Sequence, residues 1–592
     1  MPDRVNHQEL MLQALSHHRA GQYPEAESLC RRVLAEYPNH ADALHVLGVI
    51  SSQRGQFPEA YTLFRRAISV NPRSADYHNN LAVVLERLGK FADAETAYRN
   101  ALILRPGDAE IHKNLSNVYR RNGKIDAAVA ELETAVRVNP NHFASIYNLA
   151  HLQQTRGNVD AAIAAYQAAI RLQPDSFLCH LNLGHLYKLK DDLQRAGESF
   201  ATAAQLKPDS ADAVNNSAAI AHFTGRMDEA LAGYRKAIEL QPDFAAAYCN
   251  LGVALADVGR NEEAVAAYKR TLELNPDFAS AHWNYGLVLL VMGDFEHGWP
   301  EYEWRSKVQE LNLNFNVPRP LWDGDPLHGQ RILLRGEQGF GDAIQFIRYA
   351  PLVAERGGYV IVACDPVLYP IFRSIPGIRE FVEPEKPIPP FDVHCPFLTL
   401  PHAFKTTLET IPAAVPYIWP DADLAAKWKS RMPADRLKVG IAWAGRRSHR
   451  LDRWRTMTLE QLAPIVQTPG VGFASLQTGE QSAQVRNLPA GVEIVDLSAD
   501  LTDFSQTAAV IANLDLVITV DTAAGHLAGA MGKPVWVLLQ YAPDWRWMLD
   551  RADTPWYPTM RLFRQKEFAD WSGPIREIAE ALRKLASQGG HP

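Results

Sequence analysis

Three short stretches place chemically able side chains just after apolar runs. The first is GEQGFGD, residues 336–342. Its glycines, Gly336, Gly339 and Gly341, let another group come close to the backbone. The order G-x-x-G-x-G matches neither the phosphate-binding P-loop nor the dinucleotide fingerprint. Asp342 then opens a helix-like run, either as a helix N-cap or as a base that takes a proton from a hydroxyl. The second stretch is AGRRSHRLDRWR, with Arg446, Arg447, Arg450, Arg453 and Arg455 close together in an acidic chain. Guanidinium forks suit phosphate. A solvated basic loop is the plainer alternative, but a position just after a strand favours phosphate. The third stretch is TVDTAAGHLAGAMGKPVWVLL, residues 519–539. A strand-like run ends in Asp521, Thr522 follows, and a helix pattern starts at Ala523. Free amides at that helix start and the Thr522 hydroxyl favour a phosphate, and His526 lies one turn in. Gln477, at the end of another strand-like run, is a further ligand candidate.

The elements that must position these loops alternate between strand and helix. RILLR (331–335) and YVIVAC (359–364) flank the glycine loop and a helix expected from Asp342 to about Glu355. Further strands are expected at VGIAWAG (439–445), GFASLQ (472–477), VEIVDL (492–497), LVITVD (516–521) and PVWVLL (534–539). Such β-loop-α-β units imply parallel sheets, hence an α/β half with two Rossmann-like domains facing a cleft, at 331–430 and 431–592. Ligands in such sheets sit beyond the carboxyl ends of the strands, where the three loops fall. The aromatic and arginine-rich run 544–565 is expected to pack on the second domain, with Arg546 a candidate near phosphate. The last helix, about 574–587, is expected to cross back to the first domain.

The first half is a different object. Prolines stand at Pro38, Pro72, Pro106 and every 34 residues on to Pro276. Glycines keep the same step from Gly21 to Gly293, with Asp191 in the one vacant place, and alanines run in phase from Ala26 to Ala264. Small residues such as Gly48, Ala82 and Gly184 let paired helices approach, and aromatics such as Phe64, Tyr98 and Phe200 fill the space between them. This is an α-solenoid of tetratricopeptide type over 1–305, with eight repeats and a modified ninth, then a linker at 306–330. GWPEYEWR (298–305) is expected to cap the solenoid and dock it onto the α/β half. An asparagine series, Asn80, Asn114, Asn148, Asn182, Asn216, Asn250 and Asn284, keeps the 34-residue step on the first helix of each repeat. An Asn amide both donates to and accepts from a peptide backbone, so the series could hold an extended chain without reading its sequence. The alternative is that Asn is simply a common residue at this position.

Composition narrows the classes. The formal net charge of −7 argues against a nucleic-acid electrostatic trap. Five cysteines without a C-x-x-C pair argue for a reducing compartment and against structural zinc. The start lacks the apolar core of a signal peptide, and no run approaches the length of a membrane span, so a cytoplasmic protein is expected. Asp323-Gly324-Asp325 mimics a D-x-D metal motif, but it lies in a linker turn, and neither metal nor cofactor is expected.

The string D-T-x-x-x-H-L-A-x-A-x-G-x-P from Asp521, with Gly341–Asp342 and Arg453–Trp454, resembles the lipopolysaccharide heptosyltransferase family of glycosyltransferases. The resemblance covers roughly residues 330 to 585 and implies the GT-B fold, a nucleotide-sugar donor, no metal and inverting transfer. It implies Asp342 as the base. Arg453, Gln477, Asp521, Thr522, Ala523 and His526 would lie on the donor side, and Gly339 and Gly341 on the acceptor side. Two departures put heptose itself in doubt: Arg453 stands where the family has Lys, and the proline after the G-D comes late, at Pro351. Repeats fused to such a domain resemble bacterial protein glycosyltransferases, including those that modify flagellin. The asparagine series resembles the ladder of the eukaryotic O-GlcNAc transferase. The expected function is therefore transfer of a sugar to Ser or Thr of a protein held by the repeats, Asn114 to Asn284 included. The alternatives are a repeat scaffold whose nucleotide-binding half does no chemistry, and a lipopolysaccharide sugar transferase that uses its repeats only for assembly. The sugar, the base and the acceptor are not legible in the residues.

Overall fold

A computed structural model describes residues 7–311, 313, 317–433, 436–445, 452–488 and 491–588. The chain divides into two compact units, Met1–Arg226 and Met227–Pro592. Among the described residues, no helix is long and apolar enough to cross a membrane.

The first unit is built of antiparallel helix pairs, from His7–Arg19 with Tyr23–Glu36 through to Ala211–Phe223. The sequence period is the period of the turns. Gly21, Gly55, Gly89, Gly123 and Gly157 have φ between +72° and +78°, a conformation glycine reaches without a Cβ penalty. Asp191, in the vacant glycine place, adopts φ 59°. Helix approach explains the small residues: a Cβ on Gly48 or Gly184 would lie 2.6 Å from the Phe64 or Phe200 ring. A second periodic bond was not read from the sequence. Ring nitrogens of His78, His112 and His180 lie 2.9–3.0 Å from the carbonyls of Pro72, Pro106 and Pro174. The asparagine series is half-buried here and partly occupied by the fold itself. Asn80 Nδ2 lies 2.8 Å from His45 Nε2, and Asn216 Nδ2 donates to the carbonyl and carboxylate of Asp212, each at 2.9 Å.

The second unit opens with further helices of the same kind, Met227–Leu240 through Ala279–Val291, and a short Phe295–Tyr302 helix. As expected for a docking segment, Trp299 is buried and its indole N–H donates to the Thr406 carbonyl at 2.8 Å. Two wholly parallel sheets come next in the chain. The first holds β1 (Arg331–Arg335), β2 (Tyr359–Ala363), β3 (Ile378–Phe381) and β4 (Val393–Pro396) in the order β3-β2-β1-β4. The second holds β5 (Leu437–Ala442), β6 (Val471–Ser475), β7 (Ile494–Asp496), β8 (Leu516–Val520), β9 (Val535–Leu539) and β10 (Met560–Arg564) in the order β10-β9-β8-β5-β6-β7. The strand order reverses between β1 and β4 and again between β5 and β8, so each sheet has a crevice beyond its carboxyl edge.

Four details differ from the expectation. The helix after the glycine loop starts at Phe340 and runs in pieces, Phe340–Phe346, a tight turn at Ile347–Tyr349 and Ala350–Glu355, because Pro351 cannot donate within a continuous ladder. Strands β3, β4 and β10 carried too few apolar residues in alternation to be read in advance. The last helix, Ser572–Ser587, does not cross to the first sheet: its Ile575, Ile578 and Leu582 join the core of the second. The Asp323-Gly324-Asp325 triplet is a turn in which Asp323 accepts from the Asp325 N–H at 3.1 Å.

Gly286, in the Ala279–Val291 helix, meets the backbone of the next helix. A Cβ there would lie 2.5 Å from the Tyr302 nitrogen. Overpacking against backbone that cannot yield costs about 1–3 kcal/mol. Gly286→Ala should lower the midpoint of denaturant unfolding, whereas Gly107→Ala, with nothing within 4 Å, should not. Equal midpoints would contradict this packing.

Candidate functional site

The glycine loop follows β1 at the first crevice, and its glycines have separate steric reasons. A Cβ on Gly336 would lie 2.8 Å from the Cys364 Cβ, and one on Gly341 would lie 2.8 Å from the His526 ring. The loop therefore presses its helix start against the Ala523–Ala530 helix of the second sheet. Gly339 contributes its N–H, which donates to Asp342 Oδ2 at 3.0 Å. Asp342 is therefore not the N-cap, which is Gly339, but the third residue of the helix, whose carboxylate accepts from the N-cap N–H; its side chain stays about 21% exposed.

Asp342 Oδ1 is held by Arg546, a contact across 204 residues of sequence. Arg546 Nε donates to Gln345 Oε1 at 2.6 Å and Nη1 to Asp544 Oδ1 at 2.8 Å. Its guanidinium carbon lies 4.4 Å from the Trp545 ring centre and 5.5 Å from that of Phe346. Burial opposes the charge on Arg546, but Asp544 and Asp342 outweigh it and raise its pKa. Arg546, read from sequence as a candidate near phosphate, thus sits on the Asp342 carboxylate. Gln345 Nε2, beside this pair, is buried without a partner.

A second buried pair holds the other end of the loop. Arg305, fully buried, donates to Glu337 Oε1 at 3.0 Å, to Glu303 Oε1 at 2.7 Å and to Thr399 Oγ1 at 2.7 Å. Glu337 Oε2 is buried with no partner. Burial raises the Glu337 carboxyl to about 7, with Arg305 opposing.

The facing wall is the end of β8 and the helix after it. Thr522 is the extended N-cap residue, with its hydroxyl 2.8 Å from that of Thr519 and no capping bond of its own. His526, 4% exposed, lies 3.0 Å from the Tyr557 hydroxyl through Nδ1 and 3.6 Å from Asp521 Oδ1 through Nε2. The Trp547 ring stacks on it at 5.5 Å. Burial alone would raise the Asp521 carboxyl, but His526, Arg455 and the Trp547 indole hold it well below the usual range. The helix that carries Arg455, Asp452–Arg455, therefore brings part of the basic stretch to the β8 end.

The remaining sequence candidates divide. Gln477 is occupied by the fold: its Oε1 accepts from the Trp443 and Ala444 N–H groups, and its Nε2 donates to the Ala444 and Thr478 carbonyls. Its amide therefore joins strand ends and presents nothing to a ligand. Gly341 packs on His526 and stays partly exposed. Arg446, Arg447, Arg450 and the Arg453 side chain lie outside the described residues. Asn250 is half-buried. Asn284 is buried and lines a recess of about 650 Å³ beside Asp544 and Trp545. Among the described residues, no cluster of His, Cys, Asp and Glu could hold a metal ion. Glu337, Arg305 and Trp547 were not singled out in the sequence, because their pairing depends on tertiary contacts that no local motif marks.

Comparison with known proteins agrees with this division. Tetratricopeptide repeat profiles match residues 11–60, 47–109, 113–177, 147–211, 224–259 and 245–278. The profile of glycosyltransferase family 9 (heptosyltransferase) matches residues 405–560. Protein FlbA of Caulobacter vibrioides is 30% identical over 330 residues, 50% of this chain and 54% of that protein, so the match spans about half of the relative. Among solved structures, YrrB, described as a TPR protein with an unusual peptide-binding site, is 20% identical over 31% of this chain and 95% of its own, with a TM-score of 0.30. PilF of Pseudomonas aeruginosa is 22% identical over 34% of this chain and 92% of its own, with a TM-score of 0.31. The chain is thus a tetratricopeptide-repeat solenoid followed by an α/β region that carries the family 9 segment.

Glu337 makes stability depend on pH. Its folded pKa, about 7, stands above the ordinary 4.5, so the folded state holds the proton more tightly. That contribution is full below about 4.5 and is lost as pH rises through about 7. Unfolding midpoints of the wild type should therefore fall with rising pH across this window relative to Glu337→Gln. A constant difference between the two proteins would contradict the assignment.

Proposed function

We propose that this repeat-bearing family 9 chain transfers a sugar from a nucleotide-sugar donor to Ser or Thr hydroxyls of a protein bound by its repeats, flagellin being the candidate acceptor. The observation that carries the reading is the apposition of Asp342, after β1, with the Asp521–His526 segment, after β8. One side offers a carboxylate, and the other offers a helix start, a hydroxyl and a buried histidine.

In this reading the donor phosphate rests at the start of the Ala523–Ala530 helix. The helix dipole there favours negative charge. The Thr522 hydroxyl is free to turn from Thr519 toward a phosphate oxygen. Arg455, whose charge also acts on Asp521, lies on the same side as the departing oxygen. Asp342 takes the proton of the acceptor hydroxyl while Arg546 and the Gly339 N–H fix the direction of its carboxylate. The sugar carbon is attacked from the side opposite the phosphate, so transfer inverts its configuration. The two sheets would then act as the two halves of a GT-B enzyme, working without metal. The repeats supply an acceptor surface that a lipid-linked sugar would not need.

Calorimetric titration with CMP, UDP, GDP and ADP tests the donor half. One nucleotide should bind preferentially, and Thr522→Ala should weaken it by about 10-fold or more, as expected for a hydrogen bond to a charged group. Binding of none of the four would turn the reading to a repeat scaffold with an inactive second half.

A further inference from the structure

A second polar site lies one strand away from Asp521, beyond β9 and β10. Gln540 directly follows β9 and Gln565 directly follows β10, and the Gln565 N–H donates to the Leu539 carbonyl at 3.0 Å. Backbone bonds fix the direction of each side-chain amide. Gln540 Nε2 donates to the Ala542 carbonyl at 2.8 Å, and Gln565 Oε1 accepts from the Tyr541 N–H at 3.1 Å. The other end of each amide, the acceptor Gln540 Oε1 and the donor Gln565 Nε2, is buried without a partner. Buried polar atoms are rarely left so, because an unpaired one carries its full desolvation penalty.

Both glutamines line a small half-open recess whose volume of about 310 Å³ includes open solvent. Its other walls are aromatic: Tyr541, Trp454 and Phe568, the last two with ring centres 4.9 Å apart. Asp257, the last residue of the Ala245–Asp257 repeat helix, closes one side. Among the described residues, no lysine or arginine lines the pocket. A donor, an acceptor, a carboxylate and flat apolar rings suit a sugar. Its hydroxyl or acylamino groups both donate and accept, and its C–H faces lie on aromatic rings.

We propose that this pocket is a carbohydrate subsite, in which Gln540 and Gln565 grip uncharged polar groups of a sugar ring over Trp454 and Phe568. The site stands on its own geometry; only the source of the sugar rests on the transferase reading. A donor sugar would reach it from the neighbouring β8 end, and a glycan on the acceptor would reach it past Asp257.

Saturation-transfer NMR on the full chain tests it, with glucose and N-acetylglucosamine as probes. Ring or acetyl protons should receive saturation from the wild type, and at least threefold less from Gln565→Leu and from Phe568→Ala. Both variants should keep wild-type affinity for inorganic pyrophosphate, which shows that they fold and that the phosphate site is intact. Displacement of the probe by a nucleotide-sugar identifies the donor sugar as occupant, and persistence of the probe identifies an acceptor glycan. No transfer to the wild type, or equal transfer to the variants, would overturn the proposal and leave the amide pair to a buried water. Pyrophosphate binding without sugar binding refutes the subsite alone, whereas loss of pyrophosphate binding in the wild type refutes the transferase reading.

Discussion

The Arg546 guanidinium is buried where three parts of the second unit meet, and the site depends on its charge being met there. Asp342 and Gln345 come from the helix after β1, Asp544 from the loop after β9, and the flanking Trp545 packs on Trp299 at the end of the repeat helices. Removing one member of such a buried pair leaves a charge uncompensated, at a cost of about 3–5 kcal/mol. The same contact sets the direction of Asp342. Stability and the placing of this carboxylate are therefore coupled at one side chain.

Arg305 does the corresponding work at the other end of the glycine loop. It lies just beyond the final repeat-like helix and reaches both Glu337 and Thr399, so the first sheet is tied to the end of the repeats through a residue with no solvent exposure. With Trp299 on Thr406, this makes the last helices of the solenoid part of the α/β core. That explains why the 34-residue period fades where it does. From Phe295 the residues must satisfy a sheet and a loop as well as the preceding helix.

Much of this was legible because it is periodic or local. The turn glycines, the small residues opposite Phe64 and Phe200, and the strands β1, β2, β5, β6, β8 and β9 follow from spacing and apolar runs. Asp342 was expected to open its helix, but the helix starts two residues earlier, and Asp342 returns a bond to the N-cap Gly339 instead. The features that were not legible depend on residues far apart in the chain. The Arg546–Asp342 contact has no local signature, and Gly336 and Gly341 admit Cys364 and His526, approaches that the glycine order does not reveal. Gln477 and two rungs of the asparagine series misled for a shared reason: a polar side chain suited to a ligand is equally suited to nearby backbone and side-chain partners.

The central claim is that Asp342 takes the proton from the acceptor. The most direct measurement is turnover of the preferred nucleotide-sugar by the wild type and by Asp342→Asn, with nucleotide affinity measured on both. The account predicts nucleotide affinity within about twofold and turnover lower by about 10²–10⁴, the usual share of a positioned acid or base. Equal turnover in the two proteins would contradict it and leave Asp342 holding the start of its helix and nothing more.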